Sequence, residues 1–328
     1  MKKIKFRKKK IEEFKKKFIF LKKFKFKSTN ISNLLLLRSL QYYSEYQDLT
    51  FLKKKTYQFF QEFKPKKIFL NMTRGINSFY IDYANKSKIP CYLISHGTIS
   101  WQKNKFSRMY NKNISQELVS KNGINCAQTK IALEFFKKNN IKNNFKTGNI
   151  VFSNSNTKKK EKIIYAVTSR DFNHMYPYGI ETFYEFYNNL TFLNFAALEL
   201  KPLKIFVKLH PIISHLSNEL TLLFKNLYFS NKNLKKLFKS SVATISFSST
   251  SIEDSLCSNI PVILLDRWKR YEHCKSEKNL SIKNKAVYYA NTKDNLIKCI
   301  NTIVESKNVR FNEYTFLGSV ENNINKIF

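Results

Sequence analysis

Two apolar runs that break off into polar residues constrain this chain most. Ile205-Phe206-Val207 leads into Lys208-Leu209-His210-Pro211, and Val242-Ala243-Thr244-Ile245 leads into Ser248-Ser249-Thr250. Short, continuous runs of β-branched and aromatic residues read as strands buried on both faces, the signature of a parallel sheet. Ligands of such sheets bind in the crevice outside the carboxyl ends of the strands. An imidazole and a trio of hydroxyls delivered there, on what read as neighbouring strands, predict an anion pocket.

The rest of the chain repeats the same alternation. Lys67 to Met72 and Cys91 to Ser95 read as strands, while Leu52 to Phe63, Ile76 to Ala84 and Thr129 to Lys138 have helical period. A polar stretch from Ser153 to Lys162 has no apolar period and reads as a linker. Beyond it the strands Ile163 to Val167, Ile205 to Leu209, Leu227 to Phe229, Val242 to Phe247, Pro261 to Leu265 and Ala286 to Tyr289 alternate with helices, chiefly Ile180 to Leu200 and Lys293 to Val304. The predicted fold class is α/β, with two doubly wound, Rossmann-like domains facing a cleft. The boundaries are a basic N-terminal helix at 1–30, a first α/β domain at 31–152, a linker at 153–162, a second α/β domain at 163–305 and a C-terminal segment at 306–328.

Charge narrows the partners less than its size promises. The net charge is +36, but only eight of the 59 basic residues are Arg, the residue suited to bidentate phosphate and base-edge contacts. Lys abounds together with Asn, Ile and Phe, a composition that A/T-rich codons explain, so nucleic acid is disfavoured as the main partner. Residues 1–27 hold fourteen Lys or Arg against Glu12 and Glu13, and Ile11, Phe14, Phe18 and Leu21 share one helical face. Such a helix fits an anionic membrane surface, and it fits equally a solvated helix packed on the body through its Phe face. No stretch approaches the ~18 apolar residues of a membrane span. Five scattered cysteines without metal or redox spacing, and an N-terminus without an apolar signal core, point to reduced thiols in the cytoplasm, with peripheral placement at the inner membrane face as an extension.

Candidate site residues follow from the strand ends. Ser248, Ser249 and Thr250 precede a helix start, where free N–H groups attract an anion, although Thr250-x-x-Glu253 also matches a capping box. His210 emerges at the sheet edge, able to donate to a phosphate. His96, in Ser95-His96-Gly97-Thr98, ends the corresponding strand of the first domain and is placed to act on an acceptor hydroxyl. Arg170, Arg267 and Arg270 follow strand ends as diphosphate clamps or as surface ion-pair partners, and Glu253 is read as a ribose ligand. Neither GxGxxG nor GxxxxGK[ST] occurs, and no metal spacing exists, so no cofactor is expected beyond a nucleotide-activated substrate.

The order His96-Gly97-Thr98, Thr147-Gly148-Asn149, Lys208-Leu209-His210-Pro211, Ser248-Ser249-Thr250 with Glu253, and Ile260-Pro261-Val262-Ile263 resembles the GT-B-fold enzymes of bacterial surface carbohydrate assembly. These are the CDP-glycerol glycerophosphotransferases, polysialyltransferases and capsule Kdo transferases, and the resemblance runs over about residues 65 to 305 in short motifs. It implies that His96 acts on the acceptor while His210 and the Ser/Thr cluster hold the donor phosphates. The acidic D/E-D/E-G motif of the sialyltransferases is not evident, and Asn259 replaces a glycine before the Pro-Val-Ile strand. The implied activity is a metal-independent glycosyl or polyol-phosphate transferase using a nucleotide-sugar or CDP-polyol donor and a glycan or lipid-linked acceptor. A UDP-sugar 2-epimerase-like enzyme and a non-catalytic basic membrane- or RNA-binding protein are the alternatives.

Overall fold

The computed structural model describes residues 12, 13, 16, 25–26, 29–30, 32–98, 101–102, 118–152, 161–168, 183–269, 271–316, 318 and 320–327. Most of the basic segment 1–27 therefore lies outside the described residues. Within it residues 12, 13 and 16 are helical, whereas β1 (Lys25–Phe26) pairs antiparallel with β2 (Thr29–Asn30), so the predicted helix does not run through the end of the segment.

A helix of 32 residues, Ser32–Phe63, follows. Sequence periodicity reveals its last third, where one face packs: Phe60 is buried against the rings of Tyr80 and Tyr83, and Tyr57 donates to Asp82 at 2.5 Å. Lys53 completes this anchor 2.7 Å from Asp82. Those two partners hold the Asp82 carboxyl at about 2, well below its ordinary 3.8.

The first lobe is a parallel sheet in the order β3 (Ile68–Leu70), β4 (Cys91–Leu93), β6 (Ile124–Ala127), β7 (Asn144–Lys146), with helices Asn77–Lys86 and Lys130–Lys138 as crossovers. Between β4 and β6 lies β5 (Trp101–Gln102). The second lobe is a six-stranded parallel sheet in the order β10 (Leu227–Ser230), β9 (Lys204–Lys208), β8 (Lys162–Ala166), β11 (Ser241–Ser246), β12 (Val262–Leu265), β14 (Val287–Ala290). That order is the doubly wound one, reversing between β8 and β11.

Hydrophobic burial holds this sheet. Helix Phe183–Glu199 turns Phe186, Leu190, Leu193 and Ala197 inward at helical spacing, against Ile163, Tyr165, Ile205 and Val207. Each fully buried large side chain contributes about 1.5–3 kcal/mol of transfer free energy. The lobes are joined at several points. β5 pairs antiparallel with β13 (Tyr271–Glu272), and Ile131 of the first lobe packs among Ile252, Leu256 and Val287 of the second. The C-terminal helix Val320–Ile324 returns to the first lobe, where Asn323 donates to the Asn149 carbonyl and Lys326 to that of Thr147. Among the described residues no helix is long and apolar enough to cross a membrane.

Candidate functional site

The strand order corrects one expectation at once. β9, which carries His210, and β11, which carries Ser248–Thr250, are not neighbours, because β8 lies between them. Two strand spacings separate the two loops, about 10 Å at the backbone. All three strands are parallel, so His210, Thr168 and Ser248 still leave the sheet at the same carboxyl edge. The crevice of a doubly wound sheet opens where its order reverses, which puts Thr168 and Ser248 on either side of it and His210 one strand further out. Thr168 was not foreseen. Its Oγ1 is buried and makes no hydrogen bond among the described residues, an arrangement that normally carries a cost.

His210 is half-buried and starts a 3-10 turn over Pro211–Leu216. Its Nδ1 accepts from the Ile212 N–H at 3.3 Å, which leaves Nε2 as the nitrogen that carries the proton of the neutral ring. That tautomer suits a donor to phosphate.

The hydroxyl loop differs from its local reading. Thr250 lies in the right-handed helical region and caps nothing, and Glu253 does not reach back to it, so no capping box forms. Ser249 takes the turn instead, its Oγ accepting from the N–H and the hydroxyl of Ser251. Ser248 is buried, and Thr250 is half-exposed with no hydrogen bond from its hydroxyl among the described residues. After this helix, Asn259 adopts φ 56°, the left-handed conformation that usually falls to glycine at a helix end and that Asn tolerates best of the other residues. The replacement noted in the sequence therefore keeps the backbone path.

Glu253 corrects a second expectation. It is 1% exposed, and both its oxygens are taken by the first lobe: Oε1 accepts from the Thr98 N–H and hydroxyl at 2.6 and 2.7 Å, Oε2 from the Thr129 hydroxyl at 2.7 Å. It is not available to a ribose. Burial raises its pKa, against the pull of the Thr98 and Thr129 hydrogen bonds. His273, also buried, faces Thr98 Oγ1 at 3.4 Å, and burial pushes its pKa down to about 3, so it is neutral. Since Thr98 gives its proton to Glu253, the Nε2–H tautomer of His273 completes the chain.

His96 is exposed at the mouth of this seam. Its loop is held from beneath. Buried Gln128 donates to the Ser95 carbonyl at 2.5 Å and accepts from Ile150 and Val151, and Ser95 Oγ donates to the Gly97 carbonyl at 2.6 Å. Gly97, at φ 142°, lies directly on the hydroxyl loop: a Cβ there would come within 2.7 Å of Thr250 Cβ and Cγ2. The two predicted loops thus meet, His96 from one lobe and Ser248–Thr250 from the other.

Of the three candidate arginines only Arg267 is among the described residues. Arg267 donates to the Asn188 carbonyl at 2.9 Å and lies 4.7 Å over the Phe192 ring, which ties it to the helix of the second lobe. Arg170 and Arg270 fall outside the described residues. A cavity of about 440 Å³ between the lobes is lined by Lys130, Glu134, Cys274, Lys285 and Tyr314 among others, and none of the predicted site residues that are described borders it. The five cysteines are free thiols, four of them buried.

No protein-family model matches the sequence, and no curated protein matches it by sequence comparison. Solved structures do match. The UDP-GlcNAc 2-epimerase of Methanocaldococcus jannaschii in complex with UDP-GlcNAc and UDP superposes with a TM-score of 0.53 at 14% identity, over 84% of this chain and 78% of that one. MnaA of S. aureus with UDP gives 0.53 at 12%, over 86% and 79%. The UDP-GlcNAc 2-epimerase of Neisseria meningitidis bound to UDP-GlcNAc gives 0.53 at 14%, over 85% and 80%. The likeness is one of fold, and it gives the chain the two-lobed, GT-B-like architecture of two Rossmann-like domains.

Proposed function

We propose that the chain is a nucleotide-sugar-dependent enzyme that holds donor phosphates at the reversal point of its second sheet. The observation that carries this reading is the convergence of the His96 loop, the Ser248–Thr250 loop and the end of β8 at one edge, where Gly97 touches Thr250. A diphosphate laid across the end of β8 bridges the His210 loop on one side and the Thr250 hydroxyl on the other, with the Thr168 hydroxyl, which has no partner among the described residues, beneath it. Proteins of this architecture that carry UDP or UDP-GlcNAc support the nucleotide class.

Within that class we favour a transferase of the surface-carbohydrate type, with His96 as the base that takes the proton of an acceptor hydroxyl and fixed donors offsetting the charge of the departing nucleotide. Glu253 is sealed in the seam, which removes one carboxylate from the acid/base set that epimerisation at a sugar carbon requires. The epimerase reading is kept because the matched structures named above are epimerases. On their charge and period, residues 1–27 fit an anionic membrane surface and a helix packed on the body equally.

The test is calorimetric and thermal-shift titration with UDP, CDP, CMP and GDP. A ligand at 100 times its Kd raises stability by about 2.7 kcal/mol. One nucleotide should do so in the wild type and fail to do so in His210→Ala, and no shift from any of the four overturns the reading. Incubation with UDP-GlcNAc then separates the activities, since an isomerised sugar formed without acceptor favours the epimerase.

A further inference from the structure

A carboxylate taken out of water is costly unless its oxygens are filled, and a well-packed apolar group of the same volume serves a purely structural seam as well. Glu253 is such a carboxylate. Every donor it binds lies on the opposite lobe, on the loops that follow β4 and β6. Two of its three hydrogen bonds come from one residue, Thr98, through backbone and side chain, which fixes the orientation of that peptide as an apolar contact does not. Thr98 is two residues from His96, and Glu253 is three from Thr250. Thr129 is locked in turn, because its Oγ1 also caps helix Lys130–Lys138 by accepting from the Ala132 N–H.

We propose that Glu253 is a positioning residue of the nucleotide site: by gripping Thr98 and Thr129 it sets the His96–Gly97–Thr98 loop of one lobe in register with the Ser248–Thr250 loop of the other. The inference rests on the reading that phosphates lie at these loops. Gly97 makes the close approach sterically open, and Glu253 makes it directional. Glu253 touches no reacting atom in this scheme, and its effect is transmitted through the backbone of residues 96–98.

The test compares Glu253→Ala, Glu253→Gln and Thr98→Val in the full chain by two readouts. The first, without ligand, is hydrogen exchange in the segment 94–98 together with the imidazole NMR signals of His96 and His215. The second is UDP affinity by calorimetry. Gln keeps an oxygen toward Thr98 and offers an N–H₂ to Thr129, so it should hold exchange and affinity within about twofold of wild type. Ala should speed exchange of the segment, shift His96 but not His215, and raise the UDP Kd about tenfold as the competent fraction falls. Thr98→Val, which removes one hydrogen bond with little change of shape, should fall between them and keeps the test open where the Ala chain does not fold. Unchanged exchange in Glu253→Ala overturns the proposal, as does faster exchange with unchanged UDP affinity. If the wild type binds no UDP, the affinity readout uses whichever of CDP, CMP and GDP it does bind; if it binds none of the four, the nucleotide reading falls instead, and the exchange and imidazole readouts decide the registration by themselves.

Discussion

Gly97→Ala tests the meeting of the two lobes most directly. The new Cβ would lie 2.7 Å from both Cβ and Cγ2 of Thr250 and 3.1 Å from its Cα, at a backbone φ of 142° that side-chain-bearing residues rarely adopt. Two separable costs follow. The backbone conformation costs about 1–3 kcal/mol in any residue but glycine, and forcing a methyl into a filled contact costs about another 1–3 kcal/mol. Most of the second part belongs to the Thr250 side chain and should be relieved when Thr250 is glycine, since only the 3.1 Å approach to Cα then remains. Urea unfolding of the wild type, Gly97→Ala, Thr250→Gly and the double variant, followed by far-UV circular dichroism, closes the cycle. Gly97→Ala should lose about 2–6 kcal/mol, with a coupling to Thr250 of about 1–3 kcal/mol. Additive effects, with coupling below about 0.5 kcal/mol, mean that the loops do not touch and that the site built on their contact is wrong.

Three further outcomes follow from buried or paired groups. His273, neutral in the fold with a pKa of about 3 against an ordinary 6.5, binds its proton only on unfolding, so its contribution is complete above pH 6.5 and is lost as pH falls. Between pH 7.5 and 5.5 the wild type should lose about 1.4 kcal/mol more than His273→Gln, and parallel pH profiles of the two would refute the burial of this ring. The Asp82 carboxyl, held at about 2, stabilises the docking of helix Ser32–Phe63 above its ordinary 3.8 and ceases to as pH falls toward 2. The group is a third exposed, so Asp82→Asn should cost under about 1 kcal/mol at neutral pH, seen as faster amide exchange in residues 53–63 and not as global unfolding. Asn323→Ala leaves the Asn149 carbonyl unpaired in a buried seam and should cost about 1–3 kcal/mol in thermal or urea unfolding, with an unchanged midpoint as the contrary result.

What the sequence disclosed and what it hid divide along one physical line. Elements whose signal is local were legible: the strands of the second lobe match their apolar runs to within a residue or two, and helix Lys130–Lys138 begins where its period does. Helix Ser32–Phe63 was visible where Phe60 packs, since hydrophobic period is the imprint of a neighbour, and not around the exposed rings of Tyr42 and Tyr46. The site divides in the same way. His96, His210 and the hydroxyls stand at strand ends, and strand ends are local. Their mutual arrangement is not, because a chain states the order in which strands are made and not the order in which they lie, and so β8 came to rest between β9 and β11. Glu253 shows the limit most sharply. Thr250-x-x-Glu253 carries every local mark of a capping box, yet Thr98 and Thr129, more than a hundred residues earlier, offer three donors in a dry seam. A cap at the exposed end of a helix is worth about 1 kcal/mol, whereas those donors left unfilled in the interior would cost about 1–3 kcal/mol each. The tertiary partners therefore win, and the residue that local rules assign to its own helix joins the two lobes instead.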